Sequence, residues 1–176
     1  MKILIVVDMQ NDFVTGPLGS PDAVRVSSKI KDLIQNSDYD HVIFTQDTHD
    51  DNYLNTKEGQ KLPVPHCIIN TDGWQIVSEL AEEFGGSPFT VQKGVFGFNY
   101  WDELLSEHFE MDYFGDNTID LVGVCTDICV VSNALILKAL FPRADIRVIS
   151  DCCAGTSIAN HLAAITTMRS CQVDIL

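Results

Sequence analysis

Short β-branched, apolar segments alternate with segments of helical periodicity along the chain, and this alternation constrains the fold most. The apolar runs predict strands over residues 2–8, 41–47, 89–93, 119–124, 146–150 and 173–176. Between them, the pattern predicts helices over residues 22–35, 74–84, 127–140 and 158–170. Parallel strands need crossover connections, and strands that are apolar throughout need cover on both faces. We therefore expect an α/β fold with a doubly wound, mostly parallel six-stranded sheet and helices on both faces.

The length and charge of the chain limit the number of domains it can form and the kinds of partner it can bind. At 176 residues, with 45% hydrophobic and 20% charged residues, the chain fits a single globular domain over residues 1–176. Lys and Arg total 11 against 25 Asp and Glu, which gives a net charge of −14. A phosphate backbone is repelled by such a chain, so we expect no nucleic-acid partner.

The sequence of the first predicted strand also indicates the cellular compartment of the protein. It carries an apolar run of only five residues before Asp8, which is too short for a membrane span or a signal peptide. We expect a cytoplasmic protein with no membrane association. In that reducing compartment the six cysteines are expected to be free thiols or catalytic groups rather than a disulfide framework.

Reactive side chains follow several predicted strands at the point where each strand ends. They are Asp8 after the first strand, Asp47 and His49 after the second, Lys93 after the third and Cys129 shortly after the fourth. Each type alone has an ordinary explanation, because Asp is common in turns, Lys in solvent and Cys in cores. Ligands of open parallel sheets, however, bind at the carboxyl ends of the strands. The shared edge therefore favours an active site.

The segment GVCTDICVVSNAL contains the candidate nucleophile, Cys129. Thr126 or Asp127 can cap the helix that follows, which puts Cys129 in the first turn, where the helix dipole favours a thiolate. The amide groups of a first turn lack helical partners and are free to bind an oxyanion. Cys125, four residues earlier, is by itself best interpreted as a buried packing thiol.

Asp8 stands at the end of a wholly apolar strand, where a charge is costly without a partner. Lys93 is a suitable partner, since its cation compensates the carboxylate and lowers the pKa of a nearby thiol. Asp8 can in turn accept the proton of the Cys129 thiol. The three residues together predict nucleophilic catalysis.

The long polar loop after the second strand holds a second group of functional residues. Asp47, His49, Glu58 and His66 are ligand types that borderline metal ions use. The spacing alone equally allows a solvated acidic loop. His161, in an Ala-rich helical segment, is predicted to be a structural histidine, and Phe96 is either a core residue or a wall of a pocket near Lys93.

Five motifs, in this order and at these strand positions, resemble the isochorismatase-like cysteine hydrolases, and among them the bacterial nicotinamidases. They are VVDMQNDF, DTH with VPHC, VQKGVFGFN, GVCTDICVVSNA and NHLAAITTMRSCQVDIL. The resemblance covers nearly the whole chain. It implies a hydrolase that converts nicotinamide, or a similar small carboxamide, to an acid and ammonia through a thioester.

The resemblance also assigns roles to single residues. It implies a catalytic triad of Asp8, Lys93 and Cys129, and an oxyanion hole made by the amides of Cys125 and Cys129 after a cis Val124–Cys125 peptide. It further implies a flat substrate ring stacked on Phe13, and a divalent metal ion on Asp47, His49 and His66, with a carboxylate that some members add falling approximately at Glu58. Phe96, from its position near Lys93 alone, is a second candidate substrate contact. The metal is expected to be zinc, with manganese or iron as alternatives, and the assembly a homodimer or homotetramer.

Other functions remain open at this stage. Many nicotinamidases have Trp where this chain has Pro63, which leaves the substrate open. An isochorismatase-type vinyl ether hydrolase does not need Cys129, whereas a hydrolase of another small amide or ureido compound does. A dinucleotide-binding module would need GxGxxG after the first strand, where this chain has DMQNDF. A non-catalytic binding module is the remaining alternative.

Overall fold

A six-stranded sheet, in the order β3-β2-β1-β4-β5-β6, forms the centre of the computed structural model, which describes residues 1–176. Every strand pairing is parallel, which confirms the predicted doubly wound α/β fold. The strands are β1 (Lys2–Val7), β2 (His41–Asp47), β3 (Thr90–Lys93), β4 (Thr118–Val124), β5 (Asp145–Ala154) and β6 (Asp174–Ile175). The chain direction across the sheet reverses between β1 and β4, the position where such folds bind ligands.

Helices flank the sheet, and several short turns connect them. The helices are α1 (Asn11–Val14), α2 (Pro21–Gln35), α3 (Ser78–Ala81), α4 (Trp101–Glu103), α5 (Val131–Leu140) and α6 (Ile158–Ser170). Tyr53–Asn55 and Glu82–Phe84 form 3-10 turns, and Leu104–His108 forms a π-helical turn. A second π-helical turn, Thr126–Val130, precedes α5 and is called the Cys129 turn below.

The central strand β1 is apolar on both faces because each face meets a separate core. Ile3, Ile5 and Val7 lie in one buried cluster, and Leu4 and Val6 lie in the other. A strand that is covered on both sides in this way needs a continuous apolar sequence rather than an alternating one. Successive side chains of β1 therefore pack against the helices on opposite faces of the sheet.

The two long helices begin where the sequence signals predicted. Ser20 caps α2 by accepting a hydrogen bond from the Ala23 amide, and Pro21 occupies the first helical position. Ser157 caps α6 by accepting from the Asn160 amide. These local caps explain why the predicted bounds of both helices agree with the structure to within one residue.

The helix predicted over residues 74–84 is wrong in its first half. Only Ser78–Ala81 and Glu82–Phe84 are helical. The Trp74 carbonyl accepts from the Gln10 side chain, and the Val77 amide donates to the Met9 carbonyl. These long-range bonds to the segment after β1 use backbone groups that a helix would need.

Other bounds also differ from the prediction. The helix predicted from residue 127 begins as α5 only at Val131, because the Cys129 turn occupies the residues before it. Strand β5 continues to Ala154, beyond residue 150, and pairs there with β4 past a register shift between Leu121 and Gly123. The final strand is limited to Asp174–Ile175. No helix has both the length and the apolar character that crossing a membrane requires.

A buried carboxylate on β4 provides a test of the sheet's stability. Asp120 is 1% exposed and accepts two hydrogen bonds from Arg147 on β5, at 2.6 Å from Nε and 2.7 Å from Nη2. Tyr39 donates a third, at 2.7 Å. Arg147→Met leaves this carboxylate without its cation, and we expect it to lower the free energy of unfolding by about 3 kcal/mol.

Urea unfolding followed by circular dichroism measures this loss. Arg25→Met is the matched control, because the Arg25–Asp22 pair is exposed on both sides and such pairs contribute less than about 1 kcal/mol. Equal losses in the two variants would contradict the role assigned to the Asp120 pair.

Candidate active site

Asp8 begins the site directly after β1. Its side chain is fully buried, and its backbone has φ 51°, in the left-handed region. Oδ1 accepts a hydrogen bond from the Thr45 hydroxyl at 2.6 Å, and Oδ2 lies 2.7 Å from Lys93 Nζ. Burial raises the pKa of Asp8 above its ordinary value, and the Lys93 cation opposes that shift.

Lys93, the last residue of β3, brings three predicted functional groups together. Its ammonium lies 2.7 Å from Asp8 Oδ2, 3.4 Å from Asp47 Oδ1 and 3.7 Å from Cys129 Sγ. Burial alone would lower the pKa of Lys93, but the neighbouring negative groups outweigh it and raise the pKa. The cation is therefore fixed between two carboxylates and a thiol.

Cys129 is buried in the Cys129 turn, at the carboxyl end of β4. Burial raises the pKa of its thiol, as does the Asp8 charge, while Lys93 lowers it. The turn brings Cys129 to the site, as the sequence predicted. Burial opposes the preference for a thiolate that a helix start gives, so the Lys93 cation is the group beside the thiol that favours its ionised form.

The peptide between Val124 and Cys125 is cis, as the resemblance implied. The Cys125 amide lies between β4 and the Cys129 turn and donates no hydrogen bond within the chain. Cys125 and Cys129 both line the same cavity. A free amide beside a nucleophile is the arrangement that an oxyanion hole needs.

Asp47, His49, Glu58 and His66 converge beside these residues, with one ligand atom from each within 4.8 Å of the others. Asp47 Oδ2 lies 3.0 Å from His49 Nε2 and 3.6 Å from His66 Nε2. Glu58 Oε1 lies 3.7 Å and 3.9 Å from the same two nitrogens. The side chains of Asp47, His49 and His66 are at most 8% exposed, which does not fit a solvated acidic loop.

The hydrogen bonds of these residues fit a metal-binding role. His66 Nδ1 lies 2.8 Å from the Val64 carbonyl, so the proton belongs on Nδ1 and the Nε2 lone pair faces the group. Burial favours a raised pKa at Asp47, but the adjacent His49 and His66 rings and the Lys93 charge lower it instead. Two imidazoles and two carboxylates at these distances form a set that can hold a divalent cation.

A cavity of about 370 Å³ opens above Cys129 and reaches the metal-ligand group. Phe13 and Phe96, both predicted as substrate contacts, line it, as do Asp47, Glu58 and His66. Most of the remaining lining is apolar. A flat, mostly apolar molecule with one polar group at Cys129 and another at the metal-ligand group fits these walls.

Some residues of the site escaped the sequence reasoning. Leu18, Leu62 and Ile128 complete the apolar walls, and no local signal distinguishes them from core residues. Tyr53 packs its ring 4.6 Å from that of His49 and 4.9 Å from that of His66. Its hydroxyl donates to the Leu62 carbonyl, so one aromatic residue supports both the histidines and a cavity wall.

Pro63, in contrast, does not line the cavity. His161, predicted as a structural histidine, shares a hydrogen bond of 2.8 Å between its Nδ1 and the Thr126 hydroxyl. It has no place in the metal-ligand group.

Comparison with known proteins agrees with the motifs in the sequence. Residues 2–176 match the Isochorismatase domain family. The chain belongs to the isochorismatase family. The match confirms the family that the five sequence motifs predicted, and it covers every residue of the site described above.

The chain is also similar to individual proteins within and around this family. The chain is 31% identical over 190 residues to the nicotinamidase/pyrazinamidase of Mycobacterium tuberculosis, covering 100% of this chain and 98% of the relative. The crystal structure of a pyrazinamidase/nicotinamidase from Streptococcus mutans is 28% identical with a TM-score of 0.83, covering 100% of both chains. A pyrazinamidase of Pyrococcus horikoshii in complex with zinc shares the fold, with a TM-score of 0.77 at 22% identity over 99% of this chain and 98% of that one.

Zinc binding by the metal-ligand group can be measured directly. The wild-type chain is expected to retain one divalent ion after dialysis against excess zinc and then buffer, measured by elemental mass spectrometry. His49→Ala and His66→Ala each remove one of four ligands, so we expect each to weaken zinc affinity by more than about 100-fold in a chelator competition. His108→Ala is the control, since His108 is exposed and lies outside the group. Unchanged affinity in both ligand variants would exclude a metal at this position.

Proposed function

We propose that this protein is an amidohydrolase that converts nicotinamide to nicotinate and ammonia through a thioester on Cys129. The contact that carries the proposal is the Lys93 ammonium, within 3.7 Å of Cys129 Sγ and 2.7 Å of Asp8 Oδ2. It joins a thiol, a base and a cation at the floor of a cavity of suitable size. The full-length similarity to nicotinamidase/pyrazinamidase supports the choice of substrate.

The first half of the reaction forms the thioester. Asp8 accepts the Cys129 proton as sulfur attacks the carboxamide carbon, and Lys93 stabilises the negative charge that develops on sulfur. The amides of Cys125 and Cys129 bind the oxyanion of the tetrahedral intermediate. The carbon–nitrogen bond then breaks, and the proton on Asp8 passes to the departing ammonia.

The second half returns the enzyme to its resting state. Asp8, again a carboxylate, accepts a proton from a water molecule that attacks the thioester carbonyl. The same two amides hold the second oxyanion. Breakage of the carbon–sulfur bond releases the carboxylic acid, and Cys129 regains a proton from Asp8. Lys93 keeps its charge throughout, and it holds Asp8 at a fixed distance from sulfur.

The aromatic walls and the metal-ligand group orient the ring of the substrate. Phe13 offers a face for a flat ring, and Phe96 and Leu62 are further apolar residues of the cavity lining. Zinc is the proposed ion on Asp47, His49, Glu58 and His66, because imidazole and carboxylate ligands suit it, with manganese and iron as alternatives. A bound ion supplies a Lewis-acid position for a lone pair on the substrate ring.

Two broader properties belong to the same proposal. All six cysteines are free thiols, which supports a location in the reducing cytoplasm. Ile158 and Leu162 are 73% and 57% exposed on α6, and such outward apolar residues support a homodimer or homotetramer. Light scattering on the purified protein measures the assembly directly.

The chemical mechanism is tested by turnover of nicotinamide with an ammonia assay. Cys129→Ala removes the nucleophile, and we expect kcat to fall by more than about 10⁴-fold. Cys171→Ala is the matched control, because Cys171 is exposed at the end of α6, and it should retain wild-type activity.

The outcomes separate mechanism from substrate. Equal turnover of nicotinamide by wild type and Cys129→Ala would contradict the thioester mechanism. If wild type leaves nicotinamide intact, a panel of other small amides and ureido compounds identifies the substrate within the same chemistry.

A further inference from the structure

Asp127, inside the Cys129 turn, forms hydrogen bonds with the loop between β5 and α6, residues 155–157. Asp127 Oδ1 accepts a hydrogen bond from the Thr156 amide at 2.8 Å. Asp127 Oδ2 accepts a second from the Thr156 hydroxyl at 2.6 Å. Both carboxylate oxygens are therefore used by one residue, 29 positions later in the sequence.

A third bond ties the same turn to α6 itself. Thr126 is fully buried, and its hydroxyl lies 2.8 Å from Nδ1 of His161. The neighbouring Gly155 has no room for a side chain, since a β-carbon there would lie 2.8 Å from Asp127 Oδ1 and 2.9 Å from His161 Cβ. The loop therefore lies in close contact with both the Cys129 turn and α6 at Gly155.

The hydrogen bonds within the turn converge on one carbonyl. The Cys125 carbonyl accepts from the Val130 amide, five residues on as in a π-helix, and from the Ile128 amide, three residues on. Asn133 fixes the following segment by donating to the Cys129 carbonyl at 2.8 Å. Between these two anchors, the side chains of Thr126 and Asp127 make the contacts that join the turn to a different part of the chain.

Thr156 also faces the substrate region. It lines the cavity together with Gly155, Cys125 and Cys129. The loop that holds Asp127 is thus the same loop that forms a wall of the cavity. A shift of this loop changes the position of the turn relative to a bound substrate.

We propose that Asp127 and Thr156 are positioning residues for the reaction proposed above, which this inference takes as its basis. Their hydrogen bonds hold the turn so that Cys129 Sγ and the Cys125 amide meet one carbonyl group at the same time. Neither residue exchanges a proton with the substrate. Their contribution is to alignment, which affects the transition state more than ground-state binding.

Substitutions of Thr156 separate the hydroxyl from the shape of the side chain. Thr156→Val keeps the shape but loses the bond to Asp127 Oδ2 and the one accepted from Asn160 Nδ2, and we expect kcat for nicotinamide to fall about 10- to 100-fold. KM should stay within about threefold. Thr156→Ser keeps the hydroxyl and should retain most of the activity. Thr166→Val is the matched control, because the Thr166 hydroxyl bonds only the Leu162 carbonyl of its own helix.

Asp127→Ala removes both bonds at once. We expect a loss of kcat at least as large as that of Thr156→Val, and the double variant should lose little more than Asp127→Ala alone, because the residues act as one unit. Multiplied losses in the double variant would overturn the proposed coupling.

A second probe reports on alignment without turnover. Pyridine-3-carboxaldehyde adds reversibly to a thiol, the sulfur bonding to the carbonyl carbon while the oxygen occupies the oxyanion position. We expect its affinity to fall about tenfold or more in Thr156→Val and to be unchanged in Thr156→Ser and Thr166→Val, with thermal melting as the check on folding.

Equal aldehyde affinity in all variants would overturn the positioning role, whatever the enzyme does with nicotinamide. A wild type that binds the aldehyde but leaves nicotinamide intact would contradict the proposed substrate alone. An equal loss of activity in Thr156→Val and Thr156→Ser would also overturn the proposal, since the missing hydroxyl would then not be the cause of the loss.

Discussion

The ion pair between Asp8 and Lys93 is the interaction on which the site depends. Both side chains are at most 1% exposed, with 2.7 Å between Oδ2 and Nζ. A carboxylate or an ammonium alone at this depth would be strongly destabilising, and removal of either partner leaves the other uncompensated. The pair therefore constrains the sheet, because the ends of β1 and β3 must stay close enough for Lys93 to pass the end of β2. The same constraint keeps the ammonium beside Cys129.

The sheet order explains how residues far apart in sequence meet around that pair. The chain runs outward from β1 to β2 and β3, then returns to place β4 on the other side of β1. Asp8 thus lies between the residues that follow β2 and β3 and the turn that follows β4. Because all strands are parallel, their carboxyl ends share one edge, and this is why strand-end residues could be assigned to one site from the sequence.

What the sequence could not predict depends on long-range contacts and on burial. The bounds of α2 and α6 followed from the helical periodicity of the sequence, and the caps at Ser20 and Ser157 fix their starts in the structure. Residues 74–77, in contrast, do not join a helix because they form hydrogen bonds with the segment after β1. The pKa of Cys129 also depends on the tertiary structure. A helix start lowers the pKa of a thiol, whereas burial and the Asp8 charge raise it. Likewise, nothing in the local sequence indicates that Leu62 lines the cavity or that Tyr53 packs against the two histidines.

Asp47 connects the triad to the metal-ligand group, and the charges explain why the two groups belong together. One of its oxygens faces Lys93 Nζ at 3.4 Å, and the other faces His49 Nε2 at 3.0 Å. Asp8, Asp47 and Glu58 place three carboxyl groups near the single ammonium of Lys93. A divalent cation held by Asp47, His49, Glu58 and His66 would offset the negative charge of this group. Asp47 would then contact both the ion and the triad lysine, which couples the two groups electrostatically.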